Sequence, residues 1–216
     1  MSTRALPITG GASLRVAVPE DAVAEPPGAL PAIDVANLPG ATVPVRAGFR
    51  GSSATVHVVC ATAPSRGWAP GVEEIVLARA SQIARGALGG EVTRFEGREI
   101  AAAGARFEER FEAGVRRGDA TLAVEGRHLL GFAGEAREAV VCSVVCTEAE
   151  GRAGCASLVE AAAPVGAWVA APAPSLVVRG ILLAAEQPLW AGWIVCAATI
   201  TLAALVIARR PRPRAR

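Results

Sequence analysis

The sequence predicts an α+β domain, an antiparallel sheet with flanking helices, followed by one C-terminal transmembrane helix. Three observations support this prediction: short alternating apolar segments, one long segment with apolar residues at helical spacing, and twenty-two consecutive uncharged residues near the C-terminus. We divide the chain accordingly. The parts are a disordered N-terminus (1–12), a soluble α+β domain (13–163), a Pro/Ala-rich linker with a juxtamembrane helix (164–186), a transmembrane helix (187–208) and an Arg-rich tail (209–216).

The predicted strands are short segments rich in β-branched residues. Residues 14–18 form the first, which ends at Pro19. In 54–60 the apolar side chains alternate, so that His57 falls on the face opposite to Val56, Val58 and Cys60. The other predicted strands are 121–126, 127–132 and 139–146, the last with the composition of a buried strand.

Two helices are predicted in the soluble domain. Between Pro70 and Leu88 apolar residues recur at helical spacing, with Pro70 suited to the first turn and two glycines after Leu88 suited to the end. A shorter amphipathic helix is predicted over 153–163. The segment 98–117 fits either a helix or strands, and we favour strands because glycines at 104 and 114 weaken a helix.

This order of elements resembles that of the PsbP-like domains. The similarity covers roughly 13–163 and lies in a strand closing in proline (SLRVAVPE), a helix (GVEEIVLARASQIARGAL) and a closing strand pair (GRHLLGFAGEAREAVVCSVVC). It implies a PsbP-like sandwich and a mostly non-enzymatic family with partner-binding and chaperone-like members. No family site residue has a match here, and the proline-rich segment 26–44 and the C-terminal anchor depart from the family pattern.

The uncharged segment 187–208 has the features of a membrane span. As a helix it is roughly 33 Å long, enough to cross a hydrocarbon core of about 30 Å. The membrane interfaces are predicted at Trp190 and Trp193 on one side, and at Arg209 and Arg210 on the other.

The orientation of the predicted span follows from the N-terminus, which lacks the apolar core of a secretion signal. We therefore expect a single-pass, tail-anchored protein whose soluble domain faces the cytoplasm, with an extracytoplasmic domain as the alternative. The five arginines of the tail favour the alternative. A membrane hairpin that also used 161–178 would remove the conflict, but the three prolines in that segment break a helix.

Charge and composition limit the partners. All 22 basic residues are arginine, and without the five in the tail 17 remain against 20 acidic residues. The domain thus lacks the basic excess of a nucleic-acid surface. We expect membrane lipid and a protein as partners, and no nucleic acid.

The cysteines are the main candidates for chemistry. On one strand Cys142 and Cys146 lie about 13 Å apart, too far for a mutual disulfide, and their spacing is not that of a zinc site. Cys146 and Cys155 bracket a short loop and are a possible disulfide, worth at most about 3 kcal/mol. That bond requires an oxidising compartment, so for a cytoplasmic domain we expect buried free thiols instead. Cys60 is distant in sequence from these three.

No other catalytic, cofactor-binding or metal site is predicted. Neither His57 nor His128 lies in a nucleophile motif, and the carboxylates between 108 and 112 interleave with arginines as on a solvated face. The sequence favours a tail-anchored, non-enzymatic binding module that holds a protein at the membrane. The alternative is a thiol-dependent or redox-active membrane-anchored protein using Cys142, Cys146 or Cys155.

Overall fold

The computed structural model describes residues 1–26, 40–65, 68–69, 71–97, 101–103, 106–134, 138–174, 176–177 and 179. The chain divides into two units, Met1–Pro172 and Ala173–Arg216, and the strands and helices below belong to the first. The strands are β1 (Ser2–Thr9), β2 (Ala12–Val18), β3 (Val23–Ala24), β4 (Thr42–Arg50), β5 (Ala54–Ala63), β6 (Glu91–Gly97), β7 (Ala101–Ala103), β8 (Arg106–Arg117), β9 (Ala120–Ala133), β10 (Glu138–Ala149), β11 (Ala163–Gly166) and β12 (Trp168–Val169). The helices are α1 (Val72–Ala87) and α2 (Cys155–Glu160).

The domain is mostly β, and the predicted α+β class with flanking helices is therefore wrong. Three segments account for the difference. The N-terminus predicted to be disordered contains β1, which pairs with β2 through a tight turn at Gly10 and Gly11, both at positive φ. The segment 164–186, predicted as a Pro/Ala linker and a helix, contains most of β11 and all of β12. Helix α2 is six residues long, shorter than the predicted helix 153–163.

Two antiparallel sheets form the domain. The large sheet has the strand order β3-β4-β5-β10-β9-β8-β6, with β7 paired to β8 and β12 paired to β9. The small sheet has the order β1-β2-β11. In the large sheet β5 and β10 are neighbours, although some eighty residues separate them in sequence. This pairing determines which cysteines meet.

The large sheet has an inner and an outer face. Its inner face, which includes Val56, Val58 and Val144, packs in one core with the small sheet and α2. The outer face carries the alternate residues of the same strands. Helix α1 lies over the outer face along β9 and β10, where Leu77 packs with Leu130 and Phe132. Strands β5 and β10 therefore bury their inner face completely, whereas their outer face is half-buried.

The transmembrane prediction is corrected as well. In the part of the chain that the structure describes, no helix is long and apolar enough to cross a membrane. The segment 187–208 and its predicted interface residues Trp190, Trp193, Arg209 and Arg210 lie outside the described residues.

Candidate functional site

An apolar cleft lies on the outer face of the large sheet, between α1 and strands β5 and β10. It exists because α1 covers β9 and β10 and leaves the outer side of β5 open. The cleft encloses about 770 Å³ of space, part of it open to solvent. Its lining residues are His57, Val59, Ala61, Ala80, Ile83, Ala84, Leu88, Arg117, Val141, Ser143, Val145 and Thr147.

The cleft is apolar at one end and polar at the other. The strand register orders its floor as the pairs Val141–Ala61, Ser143–Val59, Val145–His57 and Thr147–Thr55. The first of these pairs is wholly aliphatic, whereas the last two contribute an imidazole and hydroxyl groups. Arg117 donates hydrogen bonds to the carbonyls of Leu88 and Gly89, where α1 ends. Because Leu88 packs in one cluster with Val145, this end of α1 lies at the polar end of the cleft.

His57 connects the polar end to a charged group on the neighbouring strands. Its Nε2 lies 2.7 Å from Oε2 of Glu25, whose other carboxylate oxygen accepts a hydrogen bond from Arg50. Burial raises the pKa of Glu25, but the hydrogen bonds from His57 and Arg50 outweigh burial and hold that pKa below its usual value. The Glu25 carboxylate is therefore charged and already paired with two donors.

Ser143, on the cleft floor, is hydrogen-bonded to the second histidine. Its Oγ lies 2.6 Å from Nδ1 of His128, which is fully buried beside the ring of Phe111. Burial lowers the pKa of His128 to about 4, so its ring is neutral near pH 7. The Ser143 hydroxyl and Nδ1 share one hydrogen bond, whose donor is set by the tautomer of the neutral ring.

This serine and histidine differ from a hydrolytic pair in one respect. A hydrolase requires a third group that orients the far side of the histidine ring. No described residue bonds Nε2 of His128. The arrangement supports a structural hydrogen bond beneath the cleft and provides no orienting carboxylate.

The four cysteines of the domain form two disulfides. Cys60 bonds Cys142 across the paired strands β5 and β10, and Cys146 bonds Cys155 at the start of α2. All four are fully buried on the inner side. The expected buried free thiols are thus replaced by disulfides, and the three sulfurs considered for redox chemistry are not exposed thiols.

Sequence reasoning missed the Cys60–Cys142 bond because it depends on a strand pairing that the sequence does not reveal. One signal was available. Both cysteines stand at alternating positions with buried valines, Val58 and Val144, which places each on the inner face of its strand. Had β5 and β10 been recognised as neighbours, the pairing would have followed.

The charged segment of β8 is only partly the solvated face that the sequence predicted. Glu108 accepts a hydrogen bond from Arg127 at 2.6 Å, and both side chains are largely buried. Arg127 also donates to the carbonyls of Glu160 and Ala162 at the end of α2. At the other end of that helix, the Glu148 carboxylate accepts hydrogen bonds from the backbone N–H groups of Gly154 and Cys155. These contacts fix α2 on the inner face and are structural.

No metal site emerges from the described residues, in which no three His, Cys, Asp or Glu side chains are grouped to hold an ion. In comparisons with known proteins, no protein-family model matches the chain, and no curated protein is significantly similar in sequence. A solved structure of LpqN from Mycobacterium tuberculosis, described as involved in cell envelope biogenesis, matches over 77% of this chain and 91% of LpqN. The identity is 12% and the TM-score 0.43, a likeness too low to carry an argument.

Proposed function

We propose that the domain is a non-enzymatic binding module that holds an aliphatic ligand in the cleft between α1 and strands β5 and β10. The observation that carries this proposal is the lining itself. Its walls are aliphatic side chains, and its polar groups are confined to one end and to Ser143 on the floor. Ligand sites commonly combine such apolar walls with a few placed polar groups.

The lining favours an aliphatic chain over other apolar ligands. The imidazole of His57, at the polar end, is the one aromatic ring among the described lining residues, so the apolar end offers no ring for stacking on a base, a sugar or another aromatic group. Among the described lining residues, the end formed by Ala61, Ala80 and Val141 carries no hydrogen-bonding side chain. Each methylene group buried there contributes roughly 0.8 kcal/mol by removal from water.

The two disulfides support an oxidising compartment for this module. Buried disulfides persist outside the cytosol and are rare within it. We therefore place the domain on the extracytoplasmic side, the alternative weighed from the sequence. Thiol counting by mass shift under denaturing, non-reducing conditions tests this: native material should show the four domain cysteines protected and at most one labelled thiol, that of Cys196, whereas labelling of any domain cysteine would contradict the placement.

Binding is tested with decanol, a neutral aliphatic ligand, by isothermal titration calorimetry. Ala80→Phe places a ring in the apolar end of the cleft and should weaken decanol binding about tenfold or more. Ala78→Phe is the matched control, because Ala78 is exposed on the same helix and does not line the cleft. Equal affinities for the two variants, or no binding to the unaltered protein, would refute the proposal.

The protein partner and the membrane lipid predicted from the sequence remain predictions. A protein could present an aliphatic side chain or a lipid group to the same cleft. Competition between decanol and a captured partner, with Ala80→Phe and Ala78→Phe side by side, would show whether such a partner uses this surface.

A further inference from the structure

We propose that the cleft orients its ligand and selects a single-chain amphiphile with an anionic head group, of the fatty-acid class. This inference rests on the proposed function and adds the chemistry of the head group. The head would lie at the polar end formed by His57, Thr147 and Arg117, with the chain running toward Val141 and Ala61.

The direction of the ligand follows from the polarity of the floor. An aliphatic chain gains most where it contacts only apolar atoms, which is at the Val141–Ala61 end. A charged head group buried there would lose its hydration without a partner. The opposite end provides the Thr147 hydroxyl, the His57 imidazole and the Arg117 guanidinium, so the head group lies there.

The sign of the head group follows from Arg117. Arg117 is the permanently charged side chain among the described residues that line the cleft. Its Nε and one terminal nitrogen donate to the carbonyls of Gly89 and Leu88, which hold the guanidinium at the end of α1. That helix end carries a partial negative charge smaller than the full charge of the guanidinium, so the site stays positive. The remaining N–H donors fit a carboxylate geometrically.

The carboxylate bonded to the lining residue His57 does not oppose this assignment. Glu25 does not line the cleft, and its two oxygens are bonded to His57 and Arg50. The Glu25–His57–Arg50 group therefore carries at least as much positive as negative charge, because the Arg50 charge balances that of Glu25. An anionic head meets no unpaired carboxylate among the lining residues.

Three decyl ligands below their micellar concentrations test the inference: decanoate, decanol and decyltrimethylammonium, titrated near pH 7.5 at low salt. We expect decanoate to bind about tenfold more tightly than decanol, and the cationic ligand more weakly than decanol. Added salt should reduce the preference for decanoate. Acetate serves as the head group without a chain and should not bind measurably.

Variants then assign the preference to Arg117. Arg117→Gln should abolish the preference for decanoate over decanol, and Arg117→Lys should retain that preference. Arg116→Gln is the matched control, since Arg116 is the exposed neighbour that pairs with Glu91 and does not line the cleft. Thermal melts establish that each variant is folded.

The outcomes separate this inference from the proposed function. If all three decyl ligands bind equally, or if Arg117→Gln keeps the preference for decanoate, the cleft binds chains but does not select an anion. If no decyl ligand binds, both proposals fail. A preference for decanoate that is lost in Arg117→Gln and retained in Arg116→Gln supports the inference.

Discussion

On their inner faces strands β5 and β10 are fully buried and joined by a disulfide, whereas on their outer faces the same strands are half-buried and line the cleft. The alternation of side chains along a strand makes this contrast possible, because neighbouring residues face opposite directions. The inner residues Val58, Cys60 and Cys142 hold the sheets together. Outer residues such as Val59 and Ser143 are left to shape a binding surface.

Under the proposed function, this difference predicts that stability and ligand binding can be changed separately in this domain. Substitutions on the inner face should act on the free energy of unfolding, while substitutions in the cleft should act mainly on binding. The predictions below test that division, beginning with the largest expected effect.

The first prediction concerns the disulfides. By chain entropy the Cys60–Cys142 bond, with a separation of 82 residues, contributes about 4.5 kcal/mol, and Cys146–Cys155, with a separation of 9, about 2.6 kcal/mol. Replacing each pair by alanine and measuring denaturant unfolding should reproduce this order. A larger loss for the Cys146/Cys155 variant would contradict it.

The second prediction concerns acid. Burial keeps the folded-state pKa of His128 near 4, below its unfolded value of 6.5, so the unfolded chain binds a proton first as pH falls. Stability should be constant above pH 6.5 and decrease by roughly 3 kcal/mol between pH 6.5 and 4. Glu25, whose pKa is lowered, adds a further loss in the more acidic range.

His128→Gln tests the assignment of that slope. The variant is expected to be less stable overall because the contact with Ser143 changes, but its free energy of unfolding should depend less on pH between 6.5 and 4. Denaturant unfolding at a series of pH values measures this. An unchanged slope would show that another group is responsible.

The third prediction concerns the covered part of the outer face. A Cβ added at Gly126 would lie 2.0 Å from the ring of Phe111, which is fully buried beside His128. Gly126→Ala should therefore destabilise the domain by about 1–3 kcal/mol. Gly118, where an added Cβ meets no atom within 4 Å, is not a clean control because its φ is positive. The control is the second-site variant Phe111→Leu, which relieves the clash. Thermal unfolding should show a smaller loss from Gly126→Ala when Phe111 is also replaced by Leu.

The smallest expected effect is that of filling the cleft. Ala80→Phe should change the free energy of unfolding by no more than about 0.5 kcal/mol, because the ring enters open space between α1 and the sheet. The same substitution at Ala78 should be equally mild. A loss of several kcal/mol at Ala80 would show that the cleft is part of the packed core.

Local patterns in the sequence predicted several elements well. Alternating apolar residues located β5, the composition of a buried strand located β10, and helical spacing between Pro70 and Leu88 located α1. The sequence predicted two strands, 121–126 and 127–132, where the structure has the single strand β9, and Gly126 at the predicted boundary lies within that strand and makes room for Phe111. This packing is a tertiary contact, which the local sequence pattern does not reveal.

The site could be predicted only in part. The Cys146–Cys155 pair was considered because its loop is short, but Cys60–Cys142 depends on long-range pairing. The cleft depends on where α1 lies across the sheet, and no residue in α1 encodes that position alone. His57 was correctly placed on the face opposite to Cys60, but its place at the polar end of a cleft required the register of β5 with β10.

The central claim is that an aliphatic chain enters the cleft beneath α1, and intermolecular nuclear Overhauser effects measure this directly. Ile83 lines the cleft, whereas Ile75 lies on the same helix and is 71% exposed, which makes it an internal control. With decanol bound, its methylene protons should show contacts to the methyl groups of Ile83 and none to those of Ile75. Contacts to Ile75 alone, or to both equally, would contradict the claim.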